Sequence, residues 1–274
     1  MPYLKQLKVD AVTLANNHIL DYGSKGLLET FDVLTKNKIN YVGAGSNLSE
    51  AAKPLTLEKD GLRIAILNFC ENEWSIADSD SSGANPMDII DNTNQIKYAR
   101  ELADYVIVIV HGGHEYYNLP SPRMQKQYRF YADQGVDIVV GHHTHCISGN
   151  EVYKGVPIYY SLGNFIFTKN NKNDEWYIGL VLEVDILNNE IRHQLHPVKQ
   201  SKKDFNLSLL TGKDKEKILE RIETFNGIIQ DESRLNDIVK NYYRKESKNL
   251  VSFFEPYSNR YAKFLYKHHL LPSF

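Results

Sequence analysis

The chain predicts an α/β domain followed by a helical extension, and three observations carry that reading. Short β-branched runs recur between residues 8 and 168, amphipathic stretches separate them, and beyond Lys199 both give way to lysine-, glutamate- and tyrosine-rich segments at helical spacing. We place the main domain at residues 1–200 and the extension at 201–274, with no internal repeat and no low-complexity segment.

Five runs read as strands: "VDAVTLA" (9–15), "LRIAILNF" (62–69), "DYVIVIV" (104–110), "VDIVV" (136–140) and "VPIYYS" (156–161). Between the first two, residues 23–38 predict a helix with a serine as plausible cap and with Leu27, Leu28, Phe31 and Leu34 on one face. Residues 121–135 predict a second helix, opened by Ser-Pro and closed by glycine. Strands near 177–185 and 190–198 flank "ILNNE", a turn-rich join that predicts an antiparallel hairpin.

Composition narrows the functional classes. With 274 residues, 42% hydrophobic, 24% charged and a formal charge of -2, the chain lacks the basic excess of a nucleic-acid binder. Cys70 and Cys146 are too few and too far apart for a disulfide scaffold or a Cys-x-x-Cys motif. No secretory leader pattern and no apolar run of membrane-spanning length occurs, so the chain as written reads as soluble and cytoplasmic.

Open α/β sheets bind ligands beyond the carboxyl ends of their strands, so the residues just after each apolar run are the informative ones. Those positions hold "NNHILD" (Asn16, Asn17, His18, Asp21), "HGGHEY" (His111, His114, Glu115), "GHHTH" (His142, His143, His145) and "LGNF" (Gly163, Asn164). Six of the ten histidines fall there, which points to a single site. Imidazole with amide and carboxylate oxygen suits Mn, Fe or Zn, as one or two ions, and argues against a structural thiolate site. Such a site would polarise a phosphoryl oxygen and acidify a bound water, making phosphate-ester hydrolysis the expected chemistry. Asp21, three residues after His18, is placed to fix its tautomer so that His18 protonates a leaving oxygen.

Blander readings stand beside these. A single histidine after a strand is commonly a hydrogen-bonded cap, "GHHTH" also suits a polar turn at a sheet rim, and the glycines of "HGGHEY" suit a tight turn. His193, His196, His268 and His269 read as surface residues, and the lysine and glutamate run at 213–222 as a solvated helix face. Tyr243, Phe253, Phe254, Tyr261 and Phe264 read as a helical stripe packed on the main domain rather than as an aromatic binding strip.

Taken together, "LANNHILDYGSKGLLETFDVL", "YVGAGSNLSEA", "VHGGHEY" and "DQGVDIVVGHHTHCISGNEVYKGVPIYYSLGNFIF" resemble the CapA-type capsule and poly-gamma-glutamate synthesis proteins, distant members of the calcineurin-like metallophosphoesterase superfamily. The resemblance covers roughly residues 8–168 and implies a four-layer α/β/β/α sandwich with a metal site at one rim. It implies Asn17 and His111 as metal ligands, His18 as the catalytic histidine and His143 with His145 as the final His-x-His pair. Sliding that pattern by one place would enlist His142. Glu115 and Asn164 match positions typical of the subgroup and, with Asn16, His114 and His142, are expected at the substrate rim.

One departure bears on the site. The family normally begins with a strand ending in Gly-Asp, whose aspartate is a ligand, and continues to an Asn-Leu-Glu segment; here the chain starts about nine residues before "VDAVTLANNH". Either that strand and any anchor lie upstream, making this an N-terminally truncated form that is membrane-anchored or surface-associated when whole, or the chain is complete with a weakened site. The leading expectation is a metal-dependent phosphoesterase-like hydrolase acting on a phosphorylated substrate or anionic polymer in capsule or exopolymer biosynthesis. The alternatives are a non-catalytic assembly or polymer-binding subunit of a capsule synthase complex, and a hydrolase of gamma-glutamyl amides.

Overall fold

The computed structural model describes residues 2–187 and 190–254. In chain order the elements are α1 (Pro2–Gln6), β1 (Ala11–Thr13), α2 (Gly23–Lys36), β2 (Asn40–Val42), β3 (Ala44–Gly45), α3 (Leu48–Ala51), β4 (Leu55–Lys59), β5 (Leu62–Cys70), β6 (Gly83–Ala84), α4 (Ile89–Leu102), β7 (Tyr105–His111), α5 (Pro122–Asp133), β8 (Ile138–His142), β9 (Asn150–Tyr153) and β10 (Val156–Tyr159). A 3-10 turn (Asp174–Tyr177) precedes β11 (Ile178–Leu187), β12 (Glu190–Gln200), β13 (Leu207–Leu209), α6 (Gly212–Gln230) and α7 (Glu232–Phe254).

A six-stranded sheet in the order β4-β5-β7-β8-β10-β9 forms the centre of a mixed α/β fold. Its inner strands β5, β7, β8 and β10 run parallel, and antiparallel hairpins finish both edges. Alternation along each strand sorts the side chains. Val106, Val108 and Val110 join Leu67, Phe69, Ile96, Tyr128 and Tyr131 in a core beneath α4 and α5. Ile107 and Ile109 emerge on the opposite face with Ile138 and Val140, and meet Leu182, Val184 and Leu195 of β11 and β12.

The separate two-stranded sheet β1-β2 lies on that second face as well. Asn68, which shares its side of β5 with Ile66 and Cys70, accepts a hydrogen bond from the Ala15 backbone N–H at 2.7 Å and donates to the Ile109 carbonyl at 3.1 Å. On the outside of β1-β2, α2 packs Leu27 and Leu34 against Leu14 and Ile39. The layers therefore run α4 and α5, central sheet, the two small sheets, α2, which is the α/β/β/α order expected.

Parallel register sets the position of the site. Cys70 is level with His111, and His111 with His142, at the carboxyl ends of three neighbouring strands. By the same two-residue alternation all three emerge on the face that carries the small sheets. Gly141, one step back, lets β8 lie close to β10: a Cβ there would sit 2.3 Å from the Tyr160 carbonyl oxygen.

Several local expectations differ from what is observed. Ser24 is not the cap of α2; Tyr22 occupies that place with no side-chain bond, while the Ser24 hydroxyl accepts from Ser82 at 2.8 Å. Leu28 is 48% exposed, because the buried face of α2 is narrower than its apolar content. α5 keeps its predicted start, with the Ser121 hydroxyl accepting from the Met124 N–H at 3.1 Å and Pro122 at the first position. α4 has no counterpart among the predicted elements, since its buried residues Asn92, Ile96 and Ala99 make no strong apolar stripe.

Beyond residue 200, β13 first extends the β11-β12 sheet, and α6 then places Ile218 and Ile222 against Ile147 and Leu180, and Ile229 in the principal core. Tyr243 packs with Tyr117 and Leu119 against the main domain. The side chains of Phe253 and Phe254, and the whole of Tyr261, Phe264, His268 and His269, lie outside the described residues. His193 and His196 bond to Tyr159 at 2.5 Å and to Glu183 at 2.6 Å, away from the strand-end cluster.

Candidate metal centre

Three side chains converge at the strand ends. The Nε2 of His111 lies 3.1 Å from the Asn17 Oδ1 and 3.1 Å from the His143 Nδ1. Asn17 is buried, and its loop is built by its own neighbours: the Asn16 amide donates to the Leu14 carbonyl at 3.1 Å while its oxygen accepts from the His18 N–H at 3.0 Å. Ser75, also buried, clamps the loop from the far side by donating its hydroxyl to the Asn17 carbonyl at 2.5 Å.

The "GHHTH" turn is bent by two left-handed residues, His143 at φ 97° and His145 at φ 57°, an uncommon conformation for side chains with a Cβ. That bend brings the His143 ring, rather than that of His142, to His111. Burial pushes the pKa of His142 down to about 4. Burial, with the neighbouring histidines adding to it, takes His111 down to about 2, and burial also lowers His143. The imidazoles at the centre are thus neutral near pH 7, with lone pairs available to a cation.

His145 stands slightly apart, its ring centroid 6.3 Å from that of His143. It is stacked on Trp176 at 4.5 Å, its Nδ1 meets the Asn164 Oδ1 at 3.0 Å, and its Nε2 faces the Glu115 carboxylate at 4.0 Å. Asn164 in turn donates to the Trp176 carbonyl at 3.0 Å, so the 3-10 turn before β11 holds this side of the rim.

His18 is 60% exposed, and its Nδ1 contacts both Asp21 carboxylate oxygens, at 3.0 and 3.2 Å. Its neighbours Asn16, Ile19 and Tyr22 line a groove beside it. His114 goes elsewhere: its Nε2 bonds the Tyr243 hydroxyl of α7 at 2.6 Å, and it lines a small cavity with Glu71, Arg123 and Tyr128.

Four contributors escape the sequence reading. Asn68 ties β1 to the central sheet, and Ser75 clamps Asn17. Glu71 reaches across the rim to accept the Gly113 N–H at 2.8 Å, over a Gly112 whose added Cβ would meet its side chain at 2.9 Å. Glu73 follows two residues later with its Oε2 buried and without a hydrogen-bond partner among the described residues. The "CENE" segment carries no periodic or motif signal; only the parallel pairing of β5 with β7 brings it beside His111.

Fold and site together define an α/β protein with a histidine and amide centre where parallel strands end. The chain belongs to the bacterial capsule synthesis protein family, whose model, "Bacterial capsule synthesis protein PGA_cap", matches residues 1–169. It is 39% identical over 167 residues to the "PGA biosynthesis protein CapA" of Bacillus subtilis, covering 60% of this chain and 44% of that one. The "Capsule biosynthesis protein CapA" of Bacillus anthracis is 37% identical over 170 residues, covering 60% and 41%. A "Probable polyglutamine synthesis accessory protein" of Mycobacterium tuberculosis is 30% identical over 179 residues, covering 61% and 47%. The chain spans less than half the length of these curated relatives. Among the described residues no helix is long and apolar enough to cross a membrane.

Proposed function

We propose that this chain is a metal-dependent, phosphoesterase-like hydrolase serving capsule or polyglutamate production, acting on a phosphorylated substrate or an anionic polymer. The observation that carries this reading is the meeting of the Asn17 Oδ1 and the His143 Nδ1 at the His111 Nε2, each 3.1 Å from it. Donors about 2.0–2.1 Å from one ion, the usual bond length for imidazole on zinc, are expected to stand roughly 3 Å apart.

The residues fit a borderline divalent cation such as Mn, Fe or Zn. Two neutral imidazoles and an amide oxygen supply lone pairs, and the carboxylate of Glu73, whose Oε2 is buried and without a hydrogen-bond partner among the described residues, acts on the His143 ring. Among the described residues no three His, Cys, Asp or Glu side chains form a cage by themselves, which accords with a set whose third donor is an asparagine. When bound, such an ion supplies Lewis acidity toward a phosphoryl oxygen and acidifies a water. Asn17, His111 and His143 would hold it, and His145 would close the rim against Trp176. His18 lies on the exposed side of the centre. Asp21 fixes the ring through its Nδ1, which leaves Nε2 as the position from which His18 would protonate the leaving oxygen.

The test is elemental analysis of the purified chain from Mn- and Zn-supplemented cells, beside turnover of a chromogenic phosphodiester. The wild type is expected to carry one or two equivalents of metal, and His143→Ala to lose most of it. His18→Ala is expected to retain metal and to lose roughly 100-fold or more in kcat, the lower range for general acid catalysis. A folded wild type with neither metal nor turnover overturns the reading. That outcome would favour a non-catalytic accessory role; the mycobacterial relative is named a probable accessory protein of polyglutamine synthesis.

A further inference from the structure

We propose that Glu73 is the carboxylate that answers the charge of a divalent cation at Asn17, His111 and His143, a deepening that rests on the ion-site reading above. The three converging donors bring no charge of their own, because an imidazole binds a cation through a nitrogen that carries no proton and the third donor is an amide. A dication drawn into a partly desolvated rim of that kind requires an anion close by.

Among the described residues three carboxylates act on the His143 ring, and their circumstances differ. Glu71 is engaged: its Oε2 accepts the Gly113 N–H at 2.8 Å, and its side chain packs over Gly112, so it fixes the rim loop. Glu115 is 45% exposed, stands 4.0 Å from the outlying His145, and has water to solvate it. Glu73 alone has an oxygen that is buried and without a partner among the described residues.

Its placement is set from both sides. Two residues earlier, the Glu71 N–H donates to the His111 carbonyl at 2.9 Å; two residues later, the Ser75 hydroxyl donates to the Asn17 carbonyl at 2.5 Å. The backbone carrying Glu73 is therefore pinned to two of the three donor residues. The Glu73 carboxylate also acts on the ring of the third, His143, after the exposed Glu115 and ahead of Glu71. A buried carboxylate oxygen with no donor is unfavourable in the metal-free protein and becomes favourable once a cation arrives, so ion binding and the Glu73 charge are reciprocal.

The experiment titrates Mn2+ into the full chain by calorimetry at pH 7.5, with wild type, Glu73→Gln and His143→Ala, and records thermal unfolding of each with chelator and with Mn2+. Glu73→Gln is expected to bind Mn2+ at least ten-fold more weakly, to lose most of the Mn2+-induced rise in Tm, and to unfold with chelator at or above the wild-type temperature. Binding within three-fold of wild type, or a clear fall in the chelated Tm, overturns the proposal, the second result marking Glu73 as merely structural. Weak binding by His143→Ala with normal binding by Glu73→Gln would leave the ion site standing and remove only Glu73. No binding by the wild type would remove both.

Discussion

Asn68 shows how much of the centre depends on one buried amide. It is 1% exposed, and its oxygen is the partner of the Ala15 N–H two residues before Asn17. Asn68→Ala strands that donor inside the sheet interface, at about 1–3 kcal/mol for the unsatisfied group, and removes a second donor from the Ile109 carbonyl. The expected result is a lower urea midpoint together with weaker Mn2+ binding, since Asn17 is no longer held toward His111. Unchanged affinity in a destabilised variant would show that the loop keeps its geometry without Asn68. At this scale the histidines were legible from their position after β-branched runs. Which of His142 and His143 meets His111 was not, because that turns on the left-handed backbone of His143. Nor was the fate of His114, which is drawn to Tyr243, a residue 129 positions later.

Among the elements, α5, β9 and α7 are joined through a single guanidinium. Arg129 of α5 donates from Nε and Nη2 to the two Glu151 oxygens at 3.0 and 2.7 Å, and from Nη1 to Glu232 at 2.5 Å. Glu151 is 6% exposed and also accepts the Tyr160 hydroxyl. Breaking such a pair leaves a buried charge without its partner, so Arg129→Met is expected to destabilise the protein by about 3–5 kcal/mol in equilibrium unfolding. A loss below about 1 kcal/mol would mean that solvent replaces the guanidinium. Strands β5, β7 and β8 were readable because they are buried on both faces and therefore run as continuous apolar segments. α4 was not, because an asparagine sits in its buried face: Asn92 is fully enclosed, accepting the Tyr131 hydroxyl and donating to the Pro86 carbonyl.

For the molecule as a whole, the buried histidines make stability depend on pH. Burial depresses His111 to about 2 and His142 to about 4, and lowers His143. In the unfolded chain these rings titrate near 6.5. The unfolded state therefore binds more protons as the pH drops below that value, and stability that is complete above about pH 6.5 is lost on acidification. Each of these histidines contributes a slope of at most about 1.4 kcal/mol per pH unit below that point. Urea unfolding with chelator at pH 7.5 and pH 5.0 is expected to show a clear loss at the lower pH, and His142→Asn a smaller one. Equal stability at the two pH values would contradict the burial of these rings.

What the sequence by itself determined is the α/β class, the strands whose carboxyl ends carry the polar clusters, the helix start at Ser121 and the family, since each depends on short-range pattern or on motifs read in order. Tertiary structure alone decided which members of those clusters meet. Parallel register set Glu71 beside His111, the Asn68 amide drew the Asn17 loop onto the central sheet, and Ser75 clamped it. The 3-10 turn before β11 brought Trp176 under His145. These contacts join residues 31 to 58 positions apart, and hydrophobic periodicity, which repeats every two or 3.6 residues, carries no information about them.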